Sequence, residues 1–220
     1  QALNLLLRSL YEQKKYSELL NFDEKKWLKK PQDNGRSLYW RAMARYGMDD
    51  FPGTLKDLES FFKKFADSEY QVEARRLKAW CLAKTGQAEQ AIREWTEIDK
   101  VEGLAPEVAA ENLLDLARAL ISARRMEEAR ESLKRLVRMP AGLKPVQQGA
   151  YWLGYVHVEN KEWKDAVPVL ESLGENSAAG EDLRAESLLL LATVHEALTN
   201  RVEAARVLGM AMENAHQNDL

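Results

Sequence analysis

With 32 Lys and Arg against 35 Asp and Glu, this chain of 220 residues carries a formal net charge of −3. It lacks the basic excess that a dedicated nucleic-acid binder needs to displace counterions from phosphates. Only 6 Pro and 11 Gly stand among abundant Ala, Leu, Glu, Lys and Arg, which favours helix throughout; the single cysteine excludes an internal disulfide, and no apolar run approaches the roughly 18 residues needed to cross a bilayer.

The chain opens at Gln1 with Leu3, Leu5, Leu6, Leu7 and Leu10, an apolar run that is rich for an exposed start. Tyr16 follows, and Pro31 falls where a second helix should end, so a first helical pair is read over 1–31. In the second pair, 34–66, the stretch Met48-Asp49-Asp50-Phe51 is read as carrying about two extra residues. The third pair, 69–103, is the clearest. Its first helix is expected from about Tyr70 to Thr85, opened by a capping box of Ser68 and Gln71 and closed by Gly86 in the left-handed conformation. Its second helix carries Ala91, Ile92, Trp95 and Ile98 as an apolar stripe of helical period. Pro106 and Pro145 suit the first turns that open the fourth pair (106–140) and the fifth (145–178), and Pro140 falls at a helix end. A sixth pair covers 181–216, and its last helix, with Val202, Val207, Leu208, Met210, Ala211 and Met212, is apolar on more than one face.

These pairs keep phase. Ala42, Ala79, Ala117, Gly154 and Ala192 recur at spacings of 37, 38, 37 and 38, and Ala91, Ala129, Ala166 and Ala204 at 38, 37 and 38. A bulkier series of Tyr16, Phe51, Ala88, Met126, Trp163 and Val202 precedes the second, and the sixth copy fits either Ala204 or Ala205. A fixed period of this size marks stacked helical hairpins, each burying its apolar face against its neighbours. An all-α solenoid of about six antiparallel helix pairs in one array over 1–220 is therefore expected, with Ala79, Ala117 and Gly154 buried where helices cross.

The residues resemble the tetratricopeptide repeat. The fifth pair matches it through Leu153-Gly154, Trp163, Asp165-Ala166 and Leu170. The third does so through Ala79, Leu82, Gly86, Gln90-Ala91-Ile92 and Trp95, and the fourth through Leu116-Ala117, Glu128-Ala129 and Leu133. The resemblance implies a right-handed superhelix whose first helices line a concave groove, and a role in binding protein. The phrase from Phe61 to Tyr70 is similar to the inter-repeat phrase of bacterial cell-envelope members, which favours the periplasm or envelope over the cytoplasm.

No glycine-rich phosphate loop, nucleophile elbow or paired histidines at ligand spacing occurs, so neither an enzyme nor a metal or cofactor is expected. His157 and His195, 38 residues apart, read as core or groove side chains, and Cys81 as an inert buried thiol. The basic stretch from Arg124 to Arg138 is interleaved with Glu127, Glu128 and Glu131 and reads as a solvated helix face. Groove-lining positions follow from the phase: Arg36, Tyr39 and Met43; Arg76 and Trp80; Glu111, Leu114 and Arg118; Gln148, Tyr151 and Tyr155. Tyr, Trp and Arg anchor interfaces because they bury large areas while keeping a polar handle. The expected function is a module that binds a peptide or protein segment, acidic and apolar, in the groove. The alternative is a spacer or assembly platform in a larger bacterial envelope complex, with the groove unused. The apolar ends lead us to expect that the chain is a piece of a longer protein, or that another chain covers one end.

Overall fold

The computed structural model describes residues 2–21 and 34–216, so Pro31 lies outside the described residues. Every described element is a helix, no strand occurs among them, and none of these helices is long and apolar enough to cross a membrane. The residues fall into two compact units, Gln1–Val101 and Glu102–Leu220.

The first unit holds α1 (Ala2–Glu12), α2 (Tyr16–Leu20), α3 (Arg36–Gly47), α4 (Phe51–Lys64), α5 (Gln71–Lys84) and α6 (Ala88–Asp99). Both α1 and α2 pack on α3; α3 pairs with α4, α4 with α5, and α5 with α6. The second unit holds α7 (Pro106–Ser122), α8 (Met126–Leu136), α9 (Lys144–Glu159), α10 (Trp163–Gly174), α11 (Glu181–Ala197) and α12 (Arg201–His216). Each of these packs on the next, and α9 also touches α7 and α11. Stacked helical hairpins are thus the building plan of both units.

One turn sets the register of every pair. Lys14, Asp49, Gly86, Arg124, Lys161 and Thr199 all have positive φ, between 56° and 77°. At each, the amide of the next residue returns to the carbonyl five residues back, as in Gln87 N–H to Leu82 (2.8 Å) and Glu162 N–H to His157 (2.8 Å). These bonds satisfy carbonyls that the ending helix leaves open. The second helix begins two residues after the turn residue in all six pairs, at Tyr16, Phe51, Ala88, Met126, Trp163 and Arg201. Only the third pair places glycine at this strained position, which is why a glycine search finds one turn of six.

Seven residues before the turn and five after it stand the two small residues of each crossing, and Ala42, Ala79, Ala91, Ala117, Ala129 and Ala166 are fully buried there. Gly154 is buried as well, and a Cβ on it would lie 2.4 Å from Cδ2 of Leu170. Thr54 fills the corresponding slot in the second pair. Its hydroxyl, fully buried, donates to the carbonyls of Asp50 (2.8 Å) and, across the turn, Ala42 (3.4 Å). Leu7 and Leu19 take both slots of the first pair.

The common turn corrects three expectations. No residues are inserted at Met48 to Phe51; the small residue there is Thr54, which the alanine pattern passes over. In the sixth pair Ala204 is the buried member and Ala205 is exposed, while Val202 lies one residue out of phase and is 83% exposed. Ser68 and Gln71 form no reciprocal box. Ser68 accepts the Tyr70 amide (3.1 Å) and donates to the Asn34 carbonyl, whereas the Gln71 side chain donates to the Phe65 carbonyl (2.6 Å).

A seam eight residues before and eight after the turn changes chemistry along the chain. In the first unit it is an ion pair, Arg41 with Asp57 (2.6 Å) and Lys78 with Glu94 (2.6 Å). In the fifth and sixth pairs it is apolar, Leu153 and Val169 lining one pocket and Leu191 in one core cluster with Val207, while the fourth pair has Leu116 and Ser132 there.

Two glycines separate backbone strain from crowding. A Cβ on Gly86 would meet nothing within 4 Å, so Gly86→Ala should lower stability by about 1 kcal/mol through its left-handed φ alone. Gly154→Val should cost roughly 1–3 kcal/mol by overpacking Leu170. Urea unfolding of both variants measures the two effects, and an unchanged midpoint in either refutes the corresponding role.

Candidate interaction surface

The groove positions read from the sequence fall into two groups of different character. In the first unit they are largely consumed by internal packing. Arg36, on the first turn of α3, donates to the Tyr70 hydroxyl (3.1 Å) and to Glu69 (3.1 Å). Tyr39 is buried, its ring stacked on Tyr70 at 5.1 Å and edge-on to Trp40, and burial pushes its hydroxyl pKa up. Arg76 is only 9% exposed and holds its guanidinium 4.9 Å from the centre of the half-buried Trp80 ring. Tyr39 belongs to one cluster with Leu38, Leu58 and Leu77, with Trp40, Met43, Tyr70 and Trp80 at its edge.

In the second unit the corresponding positions are open. Glu111, Arg118 and Gln148 are exposed, whereas Leu114 is packed away. The Arg118 guanidinium rests 5.8 Å from the centre of the Trp152 ring, and no carboxylate among the described residues pairs with it. Trp152 in turn stands edge-on between Tyr151 and Tyr155, each at 5.5 Å between ring centres. Both tyrosines are half-buried, and burial, followed by the charges of Glu186 and Glu159 respectively, pushes their hydroxyl pKa values up. At the far side Arg124 holds Glu159 (3.2 Å). The same phase, carried one repeat further, reaches Leu189, which is 50% exposed and was within reach of the periodicity at 38 residues beyond Tyr151.

The histidines belong to the turns. His157 is buried, its Nδ1 2.6 Å from Oε2 of Glu162, and Arg130 holds the other oxygen of that carboxylate at 2.7 Å while also touching Glu127. Asp165 brings a third potential ligand atom within 4.8 Å. A cation there would have to displace both partners of Glu162 beside a guanidinium, so the cluster works as a clip across the turn. Arg45 and Asp50 (2.7 Å) make the same clip in the second pair, and the Asp50 carboxylate and Arg45 guanidinium close over Gly53, so a Cβ there would push them aside. His195 is the buried sixth-pair equivalent, with Asn200 where the fifth has Glu162. Cys81 is buried, its thiol donating to the Phe51 carbonyl (3.4 Å), and burial raises its pKa to about 11, as befits an inert thiol.

Residues 114–181 match the sequence model of the tetratricopeptide repeat. No curated protein matches the chain. Among solved structures, BtubC (BKLC) from P. vanneervenii is similar with a TM-score of 0.72 at 15% identity, covering 93% of this chain and 90% of its own. MamA from Desulfovibrio magneticus RS-1, from residue 41 to its end, gives 0.69 at 12% identity, covering 86% and 98%. YrrB, described as a tetratricopeptide-repeat protein with an unusual peptide-binding site, gives 0.67 at 12% identity, covering 90% and 98%. At these identities the likeness concerns the fold.

Acid probes the His157–Glu162 clip. The hydrogen bond from His157, and after it Arg130, holds the Glu162 carboxyl below the usual carboxylate range. A depressed carboxylate lends stability above its unfolded pKa, about 4.3, and loses it as pH falls through the folded value. Glu162→Gln should therefore flatten the fall of Tm between about pH 5 and 3 relative to the parent. Two parallel calorimetric profiles would count against the clip.

Proposed function

We propose that this chain, built of tetratricopeptide repeats, is a non-catalytic protein–protein interaction module. It binds an extended or short helical segment of its partner along the first helices of the second unit. The observation that carries this reading is the exposed Arg118, without an ion pair and held over Trp152 between two half-buried tyrosines. An exposed guanidinium on an aromatic floor suits a carboxylate flanked by apolar groups, because the ring orients the cation and the rim supplies area. The peptide-binding site of YrrB supports the same class of partner.

The first unit favours a second role. With Arg36, Tyr39 and Arg76 engaged in its own packing, its first helices offer less to a ligand, and an assembly platform suits it better than a peptide groove.

Peptides selected from a displayed library on the parent protein should be rich in Asp or Glu next to aliphatic residues. Arg118→Ala should weaken them at least about tenfold with helicity unchanged, the loss expected of a charged anchor. Arg76→Ala should instead lower Tm and leave the affinity of the folded protein within about twofold. Equal affinity of the parent and Arg118→Ala in titration calorimetry would remove this face as the binding site.

A further inference from the structure

Two pockets occupy the same place in the repeat. In the first unit Phe62, Ala66, Gln71, Arg75, Lys78 and Glu94 enclose about 310 Å³. In the second, the residues at the same distances from their turns, among them Val137, Ala141, Val146, Ala150, Leu153 and Val169, line a pocket of about 350 Å³. The first is closed chemically by its own charges, since Arg75 (2.8 Å) and Lys78 (2.6 Å) both grip Glu94. The second holds no such pair.

Its origin lies at a single position. Eleven residues before the turn stand Leu38, Arg75, Leu113, Ala150 and Leu188 in successive pairs. Leu38 and Leu113 are 4% exposed and Leu188 1%, so three of the five pairs bury a leucine in this slot. In the sixth pair that leucine lies directly against Gly174, where a Cβ would come within 2.6 Å of Cδ2 of Leu188. Ala150 leaves the same slot short of a leucine side chain while the apolar walls, Val146, Leu153 and Leu173, remain. Rim groups suit a peptide better than a hydrocarbon. Gln147, Ser172 and Asn176 line the pocket beside its apolar walls.

We propose that this pocket receives one leucine-sized, branched aliphatic side chain from a partner peptide, whose backbone meets the polar rim. What fits is shown by the molecule itself, which fills the slot with leucine three times. The site is separate from the Arg118 surface, because none of Arg118, Tyr151, Trp152 and Tyr155 lines it. The proposal therefore stands or falls apart from the function argued above.

The test is a methyl-NMR titration of the whole chain with N-acetyl-leucine methylamide. A single anchor of this size is expected to bind with Kd on the order of millimolar. Methyl signals of Val146, Leu153 and Val169 should shift saturably, while N-acetyl-glycine methylamide should leave them in place. Ala150→Leu should fold at least as stably as the parent and abolish the shifts; Val169→Asn, on the wall, should weaken binding at least several-fold; Arg118→Ala should leave the titration unchanged. Shifts that persist in both pocket variants, an equal response to the glycine compound, or no saturable shift in the parent would overturn the proposal.

Discussion

The geometry of one turn governs the rest of this molecule. Wherever a first helix ends, a residue in the left-handed region lets two amides return to open carbonyls, and the chain leaves in a fixed direction. Because each second helix starts two residues later, the residue seven before the turn always meets the residue five after it. From the second pair to the sixth both are small, which lets the axes approach toward the lower end of about 8–10 Å, whereas the first pair closes on Leu7 and Leu19. Leucines such as Leu133 and Leu170 then reach full burial. Groups farther from the crossing answer to no such demand and differ from pair to pair.

That freedom shows in the turn clips. The positions that bracket the turn hold Arg45 and Asp50, His157 and Glu162, or a leucine facing a long polar side chain, as with Leu82 and Gln87. Glu162 is held on both sides, by His157 and Arg130, which makes it more than an ordinary surface contact. Side chains stay open to solvent where no internal partner claims them. Arg76 and Arg118 share a residue type and an aromatic neighbour, yet one is buried and the other open.

The helical pairs and the small residues at the crossings were legible in the sequence, because packing writes them as a period. Ala79, Ala117 and Gly154 are buried as that period requires. Thr54 escaped because it satisfies the slot by size and by hydrogen bonds to backbone carbonyls, a solution that a search for alanine does not see. The turn residue itself escaped in five pairs, since Lys14, Asp49, Arg124, Lys161 and Thr199 adopt a glycine conformation without being glycine. The surface was harder still. Periodicity gathers Tyr39, Arg76, Arg118 and Tyr155 on one side of their helices, but it cannot say that Tyr70 arrives from the start of α5 to cover Tyr39. Nor does it mark Ala150, whose significance lies in the leucines that stand elsewhere at its position.

The seam that is ionic at Arg41–Asp57 and Lys78–Glu94 and aliphatic at Leu153–Val169 and Leu191–Val207 gives these helical pairs different thermal physics. Exposing apolar surface raises the heat capacity of the unfolded chain, whereas exposing polar surface lowers it. An aliphatic seam therefore bends the stability curve more sharply, and cooling weakens it first. An ionic seam bends the curve less, and its ion pair gains relative weight on heating as the cost of desolvating charge declines. One architecture thus contains two temperature responses, set by which pair of side chains happens to close each seam.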